Sequence, residues 1–356
     1  MKIQYKNENF SLKTLDGLLS KAPFFSEGIT FINKWLSLED IFDFKSSGST
    51  GIAKTIEINK SQILKSVALT ANTLKLKNTD KALICLAPEY VATKMMLARC
   101  LVLDMDIVLV DSSSNPLEGL NKNQSIDFAS FVPLQVQQIM DSGNAERLGK
   151  IKNVLIGGAP ISDVLAKKLK SFQNNIYHTY GMTETVSHIA LRKLSNGEDS
   201  SYFKCLEGIK ITTKEDGCLV INGSVTNDEE VITKDLVEIK NENEFVWLGR
   251  QDNLVNSGGV KIIPERIEHL LKPIFKEVQM SNDFFIGGIE DSKLGQKLIL
   301  LVEGTPTPTD LEALVKNNIE KEFSKYYVPK QIIYLEQFIR TISGKVKRSE
   351  TIKLIQ

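Results

Sequence analysis

Residues 45–59 read KSSGSTGIAKTIEIN and combine hydroxyls, glycines and lysines as phosphate-binding loops do. Residues 48–55 fit the Walker A pattern except at Ala53, where glycine is expected. A Walker loop opens a helix, yet TIEI after Lys54 alternates apolar and polar residues and predicts a strand, with a helix only from about Ser61. This excludes a P-loop nucleoside triphosphatase and leaves a phosphate-binding loop between two strands, with an ordinary polar loop as the alternative. The candidate phosphate ligands are Ser46, Ser47, Gly48, Ser49, Thr50, Gly51 and Lys54.

A second group of reactive side chains lies in TYGMTETVSH, residues 179–188. The ring of Tyr180 can stack on a purine, the Thr183 hydroxyl can donate to a phosphate oxygen, and the Glu184 carboxylate suits Mg²⁺. Gly181 and Met182 join them as candidate nucleotide contacts. An ordinary polar turn at a strand end is the competing interpretation.

Two further segments offer nucleotide contacts. In NVLIGGAPIS, the small residues 157–159 (Gly157, Gly158 and Ala159) lie at a predicted strand end, where a flat ring can approach the backbone. In ITKDLVEI, Asp235 precedes a predicted extended segment, where its carboxylate can accept both ribose hydroxyls. A turn-forming aspartate is the alternative there.

The last candidates lie towards the C-terminus. GRQDNLVNSGGVKIIPERIE contains Arg250, Asp252 and the pair Gly258 and Gly259, and RTISGKVKR contains Lys345. The glycine-rich, polar stretch 249–259 predicts a hinge between two structural units. For Lys345, a flexible solvated end is the alternative.

The surrounding pattern predicts the elements that position these residues. From about residue 60 to 190, helical and extended segments alternate, which predicts βαβ units and a mostly parallel sheet covered by helices. Ligands of such sheets bind at the carboxyl ends of the strands. Residues 200–249 predict a small antiparallel layer, and the remainder predicts a compact α+β module. We therefore expect an α/β protein with a large domain at 1–250 and a small mobile domain at 251–356.

Composition narrows the function. The 356 residues contain 44 Lys+Arg and 44 Asp+Glu, so the formal net charge is zero and no basic field argues for nucleic acid or an acidic membrane. The four cysteines are far apart and predict buried thiols in a reducing cytosol rather than a metal site. Without a run of about 20 apolar residues, we expect a cytoplasmic protein that acts on small molecules.

The ordered series SSGSTGIAK, GGAPIS, TYGMTET, TKD, GRQDNLVNSGGVKIIPERIE and RTISGKVKR resembles the adenylate-forming acyl-CoA synthetase superfamily and spans residues 46–348. YVATKMMLARCLV and DFASFVPLQVQQIM are most similar to segments of o-succinylbenzoate–CoA ligases of menaquinone biosynthesis. The resemblance implies ATP and CoA as co-substrates, Mg²⁺ as cofactor and, in some members, a homodimer.

The sequence also departs from that superfamily. Relatives usually carry a long segment before the glycine-rich loop, whereas about 45 residues precede it here, so we expect a reduced N-terminal subdomain. Ala53 stands where relatives commonly have proline, and Lys234 where they usually have glycine. These departures bear on the acyl pocket and the dimer surface more than on the ATP chemistry.

The resemblance implies two half-reactions. A carboxylate first attacks the α-phosphate of ATP to give an acyl-adenylate, and the CoA thiol then displaces AMP. It places Lys345, Thr183 and Glu184 in the first step, with Arg250 near the ribose and phosphate. It also implies rotation of the C-terminal module about Asp252, which brings Gly258 and Gly259 to a pantetheine tunnel.

The acid is expected to bind between a strand end and the magnesium carboxylate. Phe131, Val132 and Pro133 are the candidates for an apolar slot, and Ser187 and His188 for its polar end. His188 as a plain strand residue remains an alternative, and so do His178 beside the purine or within its strand and a structural His269. A general acyl-CoA synthetase, an enzyme that loads a carrier protein and a non-catalytic nucleotide-binding relative also remain open.

Overall fold

The computed structural model describes residues 1–37, 39–45, 54–121, 123–198, 200–280, 282–306, 310–340 and 346–355. Three sheets and the helices around them make up this part of the chain. Its strands are β1 (Ile3–Tyr5), β2 (Glu8–Phe10), β3 (Ile41–Lys45), β4 (Thr55–Asn59), β5 (Lys81–Ile84), β6 (Asp106–Leu109), β7 (Phe128–Phe131), β8 (Asn153–Ile156), β9 (Asn175–Gly181), β10 (His188–Lys193), β11 (Phe203–Cys205), β12 (Lys210–Thr213), β13 (Cys218–Asn222), β14 (Val231–Asn241), β15 (Glu244–Arg250), β16 (Val255–Ser257), β17 (Val260–Ile262), β18 (Phe284–Asp291), β19 (Gly295–Glu303) and β20 (Gln331–Leu335). Its α-helices are α1 (Leu15–Lys21), α2 (Ser26–Leu36), α3 (Lys60–Leu74), α4 (Val91–Leu103), α5 (Pro133–Asp141), α6 (Ala145–Gly149), α7 (Asp163–Leu169), α8 (Pro264–Glu277), α9 (Leu311–Glu322) and α10 (Arg348–Ile352).

The largest sheet confirms the predicted α/β class. Its order is β12-β13-β14-β15-β11-β10-β9-β8-β7-β5-β6-β1-β2. The run from β9 to β1 is parallel throughout, and the short apolar strands β5 to β8 are almost entirely buried, as expected for strands covered on both faces. The carboxyl ends of β7, β8 and β9 therefore lie at one edge.

The antiparallel strands predicted for residues 200–249 continue this sheet. β10 turns back along β9, and β11 to β15 follow in antiparallel pairs. In the pairing of β14 with β15, Asp235 lies opposite Arg250. Asp235 was expected before an extended segment; it lies within β14 instead, because the ladder with β13 already begins at Val231.

The first 45 residues complete one side of the large sheet. β1 adds a parallel strand beside β6, and α2 contacts α4. An aromatic cluster of Phe31, Trp35 and Phe42, with ring centroids 5.3 to 6.1 Å apart, fixes α2 against β3. This short N-terminal segment therefore supplies core where the resemblance implies a larger subdomain.

The glycine-rich loop connects the two strands of a hairpin, as predicted. β3 and β4 pair antiparallel, with Lys45 opposite Thr55. The helix after β4 begins at Lys60 rather than at the expected Ser61, and the Asn59 N–H donates to Gln62 Oε1 at 3.1 Å. The loop thus precedes a strand, which agrees with the exclusion of a Walker fold.

A smaller sheet of order β17-β16-β19-β18, with β20 beside β19, forms the second unit together with α8, α9 and α10. Its core is separate from that of the large sheet and centres on Ile267, Leu271 and Leu300. The change from one sheet to the other falls at residues 251–254, between β15 and β16. The division at 250/251 stays a prediction that coincides with this change of sheet.

Candidate functional site

Small side chains bring the ends of β8 and β9 close together. A Cβ on Gly157 would lie 2.3 Å from Thr179 Oγ1, and Gly158 has a φ of +82° that favours glycine. The carbonyl of Ala159 lies 3.2 Å from His178 Nε2. The GGA segment is thus held against the strand that carries Tyr180, at the edge where α/β sheets bind ligands.

Asp235 joins that edge to β14 and β15. Its Oδ2 accepts a hydrogen bond from the Tyr180 hydroxyl at 2.7 Å, and its Oδ1 accepts one from Trp247 Nε1 at 3.1 Å. Arg250 Nη1 lies 3.5 Å from the same Oδ1. Tyr180 and Asp235, which are 55 residues apart in sequence, therefore form one site with Arg250.

Asp252 follows Arg250 by two residues and lies in the 3₁₀ turn Gln251–Asn253. Arg250 Nη2 donates to its Oδ2 at 3.0 Å and Lys234 Nζ to its Oδ1 at 2.8 Å. Burial would raise the pKa of the Asp252 carboxyl, but hydrogen bonds from Lys234 and Arg250 outweigh burial and hold that pKa below its usual value. The predicted hinge residue is therefore an ionised carboxylate between two cations.

The turn between β9 and β10 reverses the direction of the chain and carries Glu184 on its exposed side. Gly181 is required there, because a Cβ would lie 2.3 Å from the Ser187 carbonyl oxygen. Thr183 is buried in a 3₁₀ turn that follows Met182, whose N–H donates to Thr185 Oγ1. The exposed Glu184 carboxylate makes no hydrogen bond or ion pair within the described ranges.

Glu184 fits a magnesium ion held largely by substrate. Among the described residues no cluster of three or more His, Cys, Asp or Glu could hold a metal ion. Mg²⁺ commonly takes one or two carboxylates together with phosphate oxygens and waters. A single accessible carboxylate is therefore sufficient for a metal that arrives with a nucleotide.

Beyond this turn, a buried polar cluster surrounds Arg99. Its Nη2 donates to Thr70 Oγ1 at 3.2 Å and to Ser187 Oγ at 3.1 Å, while its Nε has no hydrogen-bond partner among the described residues. His188 Nε2 lies 3.2 Å from the same Thr70 hydroxyl. Burial lowers the pKa of Arg99 to about 10 and, with help from Arg99, that of His188 well below its usual value.

Arg99 was missed by sequence reasoning. It lies in α4 within MMLARCLVL, and its side chain is only 2% exposed. An arginine inside the otherwise apolar run 95–103 is the signal, because a buried charge requires a partner. Its hydroxyl partners could not be found from sequence, since Ser187 is 88 positions away.

The three candidates for the apolar slot, residues 131–133, have different surroundings in the structure. Phe131 is 1% exposed and belongs to the core under the sheet, with Val136 and Ile156. Val132 and Pro133 are half-buried, and a Cβ on Gly158 would lie 3.7 Å from Val132 Cγ1. Val132 is therefore the member of this trio that the structure places beside the GGA segment.

The histidines differ in environment. The ring of His178 lies 5.1 Å from that of Phe203, and burial, followed by the charge of Arg192, lowers the pKa of His178 to about 3. His269 on α8 is exposed and lies 3.2 Å from Asp163 on α7. This contact joins the second unit to the large one.

Gly258 and Gly259 form the two-residue turn between β16 and β17, with φ values of +60° and +82°. Such a turn needs positive φ at both positions, which accounts for the glycine pair by backbone geometry alone. A role in a pantetheine tunnel stays a prediction.

Seven predicted site residues lie outside the described residues: Ser46, Ser47, Gly48, Ser49, Thr50, Gly51 and Lys345. The chain on either side of Lys345 is firmly anchored. Arg340 and Val346 form an antiparallel bridge, Arg340 Nη2 binds Glu303 Oε2 at 2.7 Å, and Arg348 Nη2 binds Glu268 Oε2 at 2.7 Å.

Two absences hold for the described part of the chain. None of its helices is both long and apolar enough to cross a membrane. The four cysteines, which are all described, are buried and unpaired, as predicted.

Fold and site together define an AMP-binding enzyme. The family model for AMP-binding enzymes matches residues 44–216, and a Dyadobacter fermentans protein described as acyl-CoA synthetase (AMP-forming)/AMP-acid ligase II-like is 37% identical. That comparison covers 94% of this chain and 95% of the other, with a TM-score of 0.61. The chain belongs to the AMP-binding enzyme family, which confirms the resemblance read from its motifs.

Two other relatives are informative. The chain is 26% identical over 324 residues to a 2-succinylbenzoate–CoA ligase of Lactococcus lactis, covering 86% of this chain and 69% of the relative. It shares its fold with an O-succinylbenzoate coenzyme A synthetase from Bacillus subtilis in complex with ATP and magnesium ion, at 21% identity and a TM-score of 0.74. That second comparison covers 87% of this chain and 69% of the other.

Proposed function

We propose that this protein is an ATP-dependent acid–CoA ligase that acts through an acyl-adenylate, and that its acid is o-succinylbenzoate. Family membership and the names of the Lactococcus and Bacillus relatives support the reaction. The products are the acyl-CoA thioester, AMP and pyrophosphate.

The buried Arg99 cluster is the observation that carries the choice of acid. A buried guanidinium that has two hydroxyl partners and no carboxylate among the described residues costs free energy that an incoming anion can offset. Because Ser187 and His188 follow the Glu184 turn after Val186, the cluster would lie on the acyl side of the phosphates. A diacid reacts through one carboxylate and places the other against Arg99.

The first half-reaction brings two anions together, so positioning and positive charge are what the protein must supply. Glu184 would hold Mg²⁺, which neutralises the polyphosphate, and Thr183 and Lys54 would orient that group. Tyr180 and residues 157–159 would contact the purine, and Asp235 the ribose. Asp235 already accepts three hydrogen bonds, one at Oδ2 from Tyr180 and two at Oδ1 from Trp247 and Arg250, and Oδ2 has a second acceptor position for a ribose hydroxyl.

For the second half-reaction, the unit from β16 onward would rotate about Asp252 and exchange Lys345 for the segment around Gly258. The change of sheet at residues 251–254 and the anchored stem of the Lys345 segment support such a movement as a rigid body. We also propose a cytoplasmic location, where ATP and CoA are available, and a homodimer, which sedimentation would test.

A pyrophosphate-release assay over a panel of acids tests the function. We expect o-succinylbenzoate to exceed benzoate, acetate and medium-chain fatty acids in kcat/KM by at least about a hundredfold, because unpaired polar groups penalise acids that lack the second carboxylate. Comparable turnover of a fatty acid would move the assignment to a general acyl-CoA synthetase. Nucleotide binding without pyrophosphate release for any acid would indicate a non-catalytic relative.

Replacement of Lys345 tests the mechanism. We expect Lys345→Ala to abolish acyl-adenylate formation and to spare thioester formation from a supplied acyl-adenylate, because a charge used in one transition state affects one step. Lys347→Ala, two residues away and paired with Glu350, is the control. Equal loss of both half-reactions in Lys345→Ala would contradict the assignment.

A further inference from the structure

Lys234 is a departure from the family pattern that the reaction does not account for. It stands where the resemblance implies glycine, on the exposed side of β14, directly before Asp235. Its Nζ lies 2.8 Å from Asp252 Oδ1. A residue that departs from the usual family pattern thus contacts the residue about which rotation is proposed.

The charges of the residues around Asp252 indicate what the contact with Lys234 does. Asp235 and Asp252 face Arg250, which reaches both carboxylates at 3.5 and 3.0 Å. With glycine at position 234 these three groups would carry one net negative charge beside the site proposed for a triphosphate. Lys234 brings the cluster to neutrality and gives Asp252 a second cationic partner beside Arg250.

The connections of the 3₁₀ turn show what Lys234 holds in place. On one side, Lys234 ties Asp252 to β14 of the large sheet. On the other, Asn253 Nδ2 donates to Glu265 Oε1 at 2.5 Å, which ties the turn to α8 of the second unit. The Lys234–Asp252 pair therefore exists only while the turn has its present orientation to the large sheet.

We propose that Lys234 is a positioning residue that favours the domain arrangement seen here and so sets the balance between the two half-reactions; this rests on the proposed function. The effect is modest, because both side chains are partly exposed, at 56% and 34%. Exposed pairs of this kind shift a two-state equilibrium by about two- to fivefold.

Cross-linking measures the arrangement without catalysis. Asp163 and His269, with Oδ1 and Nε2 3.2 Å apart, join the two units. In a background with Asp163→Cys and His269→Cys, a short bis-maleimide, which alkylates both introduced thiols, traps this arrangement, and the native cysteines are buried. We expect Lys234→Gln to reduce the cross-linking rate about two- to fivefold and Lys234→Arg to restore it.

The matched control is Lys240→Gln, which removes another exposed lysine of β14 that pairs with Glu238 in the same strand. It should leave the cross-linking rate unchanged. High salt should bring the wild-type rate towards that of Lys234→Gln, because salt screens exposed pairs. An unchanged rate in Lys234→Gln, or an equal fall in Lys240→Gln, would overturn the proposal.

Kinetics without the engineered cysteines complete the test. The ratio of pyrophosphate release to thioester formation from supplied acyl-adenylate should change in Lys234→Gln by the factor seen in cross-linking, with the KM for ATP little altered. A changed cross-linking rate with no acid turned over would refute the ligase assignment and leave the positioning role standing. Normal turnover with an unchanged ratio would refute the positioning role alone.

Discussion

The cluster around Arg99 and the cluster around Asp252 differ in whether their charges are compensated. Arg99 is enclosed by hydroxyls and a histidine, with no carboxylate among its hydrogen-bond partners in the described chain. Asp252 is partly exposed and lies between two cations, Lys234 and Arg250, and Arg250 also contacts Asp235. The Arg99 cluster is buried and has an excess of positive charge, whereas the charges of the Asp252 cluster balance and Lys234 and Asp252 are partly exposed.

This difference indicates different tasks. An uncompensated buried charge is expensive, and its site is suited to selecting an anion because a neutral ligand leaves it unpaired. A balanced group of four charges can exchange partners at small cost where its members are exposed, as Lys234 and Asp252 partly are, since an exposed contact contributes little on its own. The first is therefore suited to specificity and the second to movement.

The largest expected effect comes from removing the buried cation. Arg99→Met keeps an apolar stem, and we expect it to reduce kcat/KM for o-succinylbenzoate by at least about a hundredfold, as for loss of one partner of a buried charged pair. Turnover of benzoate should change little. Steady-state kinetics with both acids provides the measurement.

Arg147→Met is the control for that experiment. Arg147 also has no carboxylate partner among the residues that the structure describes, but it donates to the carbonyls of Leu120 and Asn121, in the loop before β7. It should leave the ratio of the two kcat/KM values unchanged. If Arg99→Met affects both acids equally, Arg99 does not select the second carboxylate.

Features set by residues close together in the chain could be predicted from the sequence, whereas contacts between distant residues could not. The bounds of helix α5 follow from local signals, since Pro133 stands at its first position and Gly143 lies just beyond its end. The hairpin around the glycine-rich loop followed from alternation in residues 55–58. Lys234 and Asp252 were both noted, but their contact depends on the β14–β15 register, which places Asp235 opposite Arg250.

A smaller effect is expected at the balanced cluster. Asp235→Ala should weaken ATP binding by about 1 to 3 kcal/mol, because the ribose and the donors Tyr180 and Trp247 lose their acceptor. Calorimetric titration with ATP measures it. Asp216→Ala removes a carboxylate in the neighbouring turn that binds Gln251 and should leave the affinity unchanged. An equal loss in both variants would indicate a general disturbance of this end of the sheet.

The smallest effect concerns the histidine of the buried cluster. Burial and Arg99 hold the pKa of His188 well below 6.5 in the folded protein, so His188 stays neutral there while the unfolded chain takes up a proton as pH falls through that value. Folding stability should therefore fall with decreasing pH, by about 0.7 kcal/mol per such histidine between pH 7 and 6. His178 also stays neutral in the folded protein, since its pKa is lowered to about 3.

Urea unfolding at the two pH values tests this. His188→Gln and His178→Gln should each remove about 0.7 kcal/mol of the decline, and the double variant should remove both contributions. A decline that persists unchanged in the double variant would show that neither histidine is held neutral. The surroundings of Arg99 would then be more accessible to water than the comparison of the two clusters requires.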